Sequence, residues 1–158
     1  MLFRRLPLPV EVPGALWLHS MPGRMEPWDR FLTDMRRAKL SLVMCLNPLD
    51  EVAQLSPEYH KAITLGRVPF RWLHLPMRDM GLATDAASFR EGVDQLSQAL
   101  RLGDHALLHC AAGIGRTGTV AACVLKSLGV PSEQALLQVR QAGANPQTAA
   151  QSGLIEQF

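Results

Sequence analysis

Two apolar periodicities take turns along the chain, and their order sets the expected architecture. Ala15-Leu16-Trp17-Leu18-His19 reads as a first strand, ended by Met21-Pro22-Gly23. Trp28, Phe31, Leu32 and Met35 recur at helical spacing, with Pro27 well placed for a first turn. Leu40 to Leu46 is a short, nearly continuous apolar run, the pattern of a buried parallel strand. Asp50 to Leu65 reads as an irregular helix interrupted at Pro57, and Phe70 to Leu75 as a third strand closed by Pro76. Phe89, Val93, Leu96 and Leu100 mark the apolar face of a helix capped by Thr84 or Asp85 and stopped by Gly103. Ala106 to Cys110 is the fourth strand. Helical stretches follow over 117–128, over 132–142 with Ser132 as N-cap, and over 147–157. Strands alternating with helices predict an α/β fold: a mostly parallel central sheet of four to five strands flanked by helices. Functional sites of such sheets lie beyond the carboxyl ends of their strands.

Composition narrows the classes of partner. At 158 residues, 47% hydrophobic and 19% charged, the chain fits one globular domain with a proper core. A net charge of +2 is too balanced to imply nucleic acid or a polybasic membrane contact. No run of apolar residues has the length of a signal peptide or a membrane span. Cys45, Cys110 and Cys123 show neither metal-ligand spacing nor an even-numbered disulfide pattern, so the expectation is a cytoplasmic protein without metal or cofactor.

The chemistry concentrates in His109-Cys110-Ala111-Ala112-Gly113-Ile114-Gly115-Arg116-Thr117-Gly118. An apolar strand leads into it and a helix leads out. A strand, a tight glycine loop and a helix N-terminus form a site for an anion, because loop amides converge there and the helix dipole adds positive potential. A thiol in such a place is favoured as the thiolate nucleophile, and Arg116 supplies a planar fork for two phosphoryl oxygens. The pattern points to attack of sulfur on a bound phosphate. Gly113-x-Gly115-x-x-Gly118 also meets the dinucleotide-binding spacing, but no strand with a closing acidic residue follows. No Gly-Lys-Ser/Thr ends the loop, which excludes a P-loop nucleotide hydrolase. A rhodanese-like sulfurtransferase would share the strand-end cysteine, yet five residues before Arg116 suit phosphate better.

His109-Cys110, five residues, then Arg116-Thr117 resembles the full motif of the cysteine-dependent protein tyrosine phosphatase superfamily. The resemblance extends over most of the chain, as a single phosphatase domain over 1–158. Its compact, dual-specificity size is most similar to the cyclin-dependent-kinase-associated phosphatase group. The resemblance implies that Cys110 is the nucleophile, passing through a phosphocysteine. Arg116 would hold the phosphoryl oxygens together with the amides of Ala111, Ala112, Gly113, Ile114 and Gly115. Thr117 would donate to the sulfur as it departs, and His109 would stabilise the loop. Asp79, 31 residues before Cys110, resembles the general acid of the family. Met77-Arg78 stand before it where the tyrosine-specific branch has Trp-Pro, and Asp85 competes but suits a helix cap. Gln147, with Gln151 second, resembles the glutamine that orients the hydrolytic water. Cys45, at the end of the second predicted strand, matches the place where some members carry a cysteine that bridges an oxidised nucleophile.

Ala111, Ala112 and Ile114 are uncharged, and the lysines that phosphatases of inositol head groups place in this loop are absent. The expected substrate is therefore a phosphorylated protein or peptide, phosphotyrosine first, with phosphoserine and phosphothreonine as alternatives. Arg71, His74 and Arg78 would favour acidic flanking residues. An inositol phosphate phosphatase and a non-catalytic phosphopeptide-binding module are the rival readings.

Overall fold

A computed structural model describes residues 3–78, 86–146, 155 and 158. Its elements are β1 (Arg4–Leu6), β2 (Ala15–His19), α1 (Trp28–Arg37), β3 (Leu42–Cys45), α2 (Leu49–Leu55), α3 (Pro57–Thr64), β4 (Arg71–His74), α4 (Ala86–Arg101), β5 (His105–His109), α5 (Gly115–Ser127) and α6 (Ser132–Gln141). The five strands form one sheet in the order β1-β2-β5-β3-β4. β2, β5, β3 and β4 run parallel, and β1 is the antiparallel edge. The expected α/β sheet is thus present, with a first strand that the apolar pattern did not show. Arg4-Arg5-Leu6 buries one leucine and needs no alternation to pair with Leu16–Leu18.

Side chains alternate across each central strand, and each set meets its own helices. Leu16, Leu18, Leu42, Met44, Ala106 and Leu108 pack with Phe89, Val93, Leu96 and Leu100 of α4 and with the apolar residues of α5. Ala15, Trp17, Val43 and Leu107 face the other way, onto Phe31 and Met35 of α1 and onto Phe70. The predicted break at Pro57 is real: Ser56 has extended geometry, α2 stops before it, and Pro57 opens α3. Prolines also stand ahead of α1 and α6, where the missing N–H costs nothing. Ser132 opens α6 as its first residue, and Pro131 occupies the cap position.

Register decides where the site forms. His19, His109, Cys45 and His74 lie side by side across β2, β5, β3 and β4, so four parallel strands end on one line. The loop after β5 starts at the centre of that line. Thr84, Asp85 and nearly all of 147–157 lie outside the described residues. No helix among the described residues is long and apolar enough to cross a membrane.

Candidate active site

Residues 110–114 connect β5 to α5, and four of their carbonyls are held by hydrogen bonds. Cys110 O accepts from His109 Nδ1 at 3.2 Å, and Ala111 O from the Met21 amide at 3.2 Å. Gly113 O accepts from Arg4 Nη2 at 2.6 Å. Ile114 O accepts from the amides of Gly118 at 2.9 Å and Asn145 at 3.0 Å. Among the described residues all peptide bonds are trans. In a trans peptide the N–H points opposite to the C=O. Outward carbonyls therefore aim the amides of Ala111, Ala112, Ile114 and Gly115 the other way, into the concave side of the turn. Gly113 makes the turn possible: its φ is +75°, and a Cβ there would lie 2.6 Å from the backbone of His19. Such a nest of amides, at the head of a 13-residue helix, binds an anion.

α5 is built to begin deep in the molecule. Residues 115–125 of the helix are all buried, and small side chains permit the approach. A Cβ at Gly118 would meet the Asn145 backbone at 2.7 Å, so glycine lets the segment after α6 close over the first turn. Cys110 is 2% exposed, and the Thr117 hydroxyl donates to its Sγ at 3.1 Å.

Arg116, also 2% exposed, is held from α2 and from the segment after β4. Nη1 and Nη2 donate to the two carboxylate oxygens of Glu51, both at 2.8 Å, and Nη1 also donates to Met77 O at 2.8 Å. This is a two-pronged, charge-assisted pair. It holds the Glu51 carboxyl below the usual carboxylate range. The segment that leads to Asp79 is further tied by Met77 N to Leu46 O at 2.8 Å and by Arg78 to Asp50 at 3.0 Å.

A buried chain of donors fixes His109. Trp72 Nε1 donates to the Tyr59 hydroxyl at 2.9 Å, and that hydroxyl lies 2.8 Å from His109 Nε2. Indole is only a donor and the Cys110 carbonyl only an acceptor, so the proton of His109 sits on Nδ1 and Tyr59 donates to Nε2. Burial pushes the imidazole down to about 3 and raises the Tyr59 phenol well above its ordinary value. His109 is thus a neutral strut under the nucleophile's carbonyl.

The arrangement is a buried thiol at the start of a loop of inward amides, with an arginine fixed on the helical turn that ends the loop. Residues 12–154 match the family described as the Swiss Army Knife protein DSP-PTPase phosphatase domain. The chain belongs to this family. It is a phosphatase of the protein tyrosine and dual-specificity superfamily.

Solved structures share the phosphatase fold. Kinase associated phosphatase, solved with its catalytic-site cysteine substituted by serine, superposes with a TM-score of 0.84 at 22% identity, over 99% of this chain and 92% of that one. Tk-PTP in its active form gives 0.72 at 24% identity, over 99% and 97%. PTPMT1 in complex with PI(5)P gives 0.69 at 20% identity, over 99% and 93%. A comparison with curated proteins gives no match.

Of the residues singled out in this phosphatase from sequence, Cys110, Ala111, Ala112, Gly113, Ile114, Gly115, Arg116 and Thr117 form one site. Asp79, Gln147 and Gln151 lie outside the described residues. Cys45 is a free thiol in register with His109, packed with Met21, Val52 and Tyr59, whereas Cys110 belongs to the cluster under α4 and α5. Burial pushes the Cys45 thiol up to about 12. Arg71 pairs with Asp104, Arg78 with Asp50, and His74 Nε2 with Asn47 O. Sequence reasoning missed Glu51, Tyr59, Trp72 and Arg4. Glu51 carried the weak signal of an acidic first turn, which stabilises many helices with no further role.

Proposed function

We propose that this phosphatase, acting as a single domain, hydrolyses phosphomonoesters of proteins or peptides, phosphotyrosine first, through a phosphocysteine intermediate. One observation carries the reading: Cys110 Sγ accepts the Thr117 hydroxyl across the cysteine loop, while Glu51 holds the guanidinium of Arg116 at the loop's end. In the first step Cys110 Sγ attacks phosphorus as the ester P–O bond breaks, and Asp79 gives its proton to the leaving oxygen. The inward amides and Arg116 take the growing negative charge on the phosphoryl oxygens. Glu51 engages the Nη1–Nη2 edge of the guanidinium and so fixes the plane of the fork. In the second step water, oriented by Gln147, attacks phosphorus while Asp79 accepts its proton. The S–P bond breaks, inorganic phosphate leaves, and Thr117 supports the departing thiolate.

The preference for phosphotyrosine rests on the loop's own surface. Ile114 is 36% exposed and Ala112 is exposed, so an entering ring meets apolar side chains with no fixed lysine beside them. The deciding experiment is hydrolysis of an aryl phosphate by wild type and Cys110→Ser, repeated with phosphotyrosyl and phosphothreonyl peptides and an inositol phosphate. Phosphotyrosyl peptide should be the best macromolecular substrate, and Cys110→Ser should be inert. Activity surviving loss of the thiol overturns the mechanism. A wild type that binds phosphopeptide without turning it over makes the chain a binding module, and faster release from the inositol phosphate moves the substrate class. Asp79→Asn should lower turnover on poor leaving groups while binding survives; the same loss from Asp85→Asn alone transfers the acid role.

A further inference from the structure

Among the charged residues around the cysteine loop, Arg4 is placed unlike the others. It comes from β1, more than a hundred residues away in sequence, and reaches the outer side of the turn. Its Nη2 donates to Gly113 O at 2.6 Å, and Nη1 donates to Gly143 O at 2.7 Å and Ala142 O at 3.3 Å. Two glycines with positive φ shape the slot it enters. A Cβ at Gly113 (φ +75°) would lie 2.7 Å from Nη2, and one at Gly143 (φ +86°) would lie 2.8 Å from Nη1. Among the described residues no carboxylate pairs with Arg4. Burial lowers its pKa, and the charge that works against this is that of Cys110. A half-buried guanidinium bonded only to neutral carbonyls keeps its full charge for whatever anion is near.

We infer that Arg4 is a positioning residue of the phosphate site: it aims the Ile114 amide inward by gripping Gly113 O, and it sets a second cation against the outer side of the cysteine loop. This rests on the phosphoryl-transfer reading given above. The grip is geometric, because turning the Gly113–Ile114 peptide away would rotate one of the anion-binding amides out of the nest. It also joins the loop to the turn after α6, which leads into the segment bearing Gln147. Arg4 grips loop carbonyls, and Arg116 remains the cation assigned to the phosphoryl oxygens.

The test is alkylation of Cys110 in the full chain by iodoacetate and by iodoacetamide, with inorganic phosphate as protecting ligand. The first reagent is an anion and samples the local field; the second is neutral. In Arg4→Met, phosphate protection should weaken about tenfold and the iodoacetate-to-iodoacetamide rate ratio should fall several-fold. Arg4→Lys should restore the ratio, since the cation returns, but only part of the protection, since one ammonium cannot span two carbonyls on separate turns. Values within about twofold of wild type for Arg4→Met overturn the inference, as does a loss in both reagents alike that lysine fails to correct. Should Arg4→Met not fold, Arg4→Lys decides: weaker protection at an unchanged ratio supports the role, and unchanged protection removes it. Absence of phosphate protection in wild type would instead sink the phosphate-site reading itself.

Discussion

Glu51 meets Arg116 with both carboxylate oxygens, each 2.8 Å from a different guanidinium nitrogen, across 65 residues of sequence. The acidic partner stands on α2 and the basic one on α5, so the pair locks two elements on either side of the loop's mouth. Glu51→Gln replaces one acceptor by a donor that faces another donor. Misdirection of Arg116 should lower kcat/KM about ten- to a hundredfold. The lost charge-assisted bonds should cost about 1–3 kcal/mol of stability, read from denaturant unfolding.

The same pair gives a pH signature. Arg116 depresses the Glu51 carboxyl in the folded chain, so its contribution to stability is present above the unfolded carboxylate value of about 4.3 and is lost as pH falls through the lower folded value. His109 acts in a second window. Its folded value of about 3 lies below that of an unfolded histidine, so only well above about pH 6.5 are both states neutral there. Below about 6.5 only the unfolded chain gains a proton, and stability falls by roughly 1.4 kcal/mol per pH unit until the folded value is reached. His109→Gln should flatten the unfolding free energy between about pH 6.5 and 3, whereas Glu51→Gln should flatten only the acid end of the curve.

Tyr59→Phe tests the strut beneath the loop. The change leaves Trp72 Nε1 and His109 Nε2 without the hydroxyl that joins them, in a buried place. A loss of about 1–3 kcal/mol is expected, with a drop in turnover larger than the change in KM, because the nucleophile's own carbonyl loses its fixed donor. Steady-state kinetics beside thermal unfolding separate the two effects, and a variant as stable and as active as wild type would remove Tyr59 from the site.

Gly118→Ala should destabilise, although alanine normally favours a helix by about 1 kcal/mol. The new methyl would stand 2.7 Å from the Asn145 amide nitrogen, whose hydrogen bond to Ile114 O closes the loop. Overpacking against backbone costs about 1–3 kcal/mol, so the net sign is unfavourable. A rise in melting temperature would show that the contact yields.

Thr117→Val keeps shape and removes the hydroxyl that donates to Cys110 Sγ. In the proposed mechanism the thiolate leaves in the second step, so phosphoenzyme breakdown should slow by about tenfold, the worth of one hydrogen bond to a charged group. A burst of aryl alcohol followed by slow turnover is the expected trace. Equal slowing of burst and steady state would place the hydroxyl elsewhere in the mechanism.

How much of this could be read from the chain follows from what each feature depends on. The central strands, both sides of the Pro57 break and the cysteine loop are local: apolar period, proline, glycine and a five-residue spacing specify them within a few positions. β1 escaped because three residues with one buried leucine carry no period. Tyr59 lies within the irregular helix read over Asp50 to Leu65, where the pattern does not single it out, and nothing in the pattern marks Arg4. By itself the sequence determined the fold class and the joint placement of a cysteine, an arginine and a hydroxyl around one loop, since those chemical groups lie within eight residues of each other. Only the tertiary structure decided what aims them. Glu51, Tyr59 and Arg4 reach the site across 65, 50 and 109 residues. A polar side chain at such distances is paired by the register of parallel strands and the slots between glycines, neither of which leaves a period in the sequence.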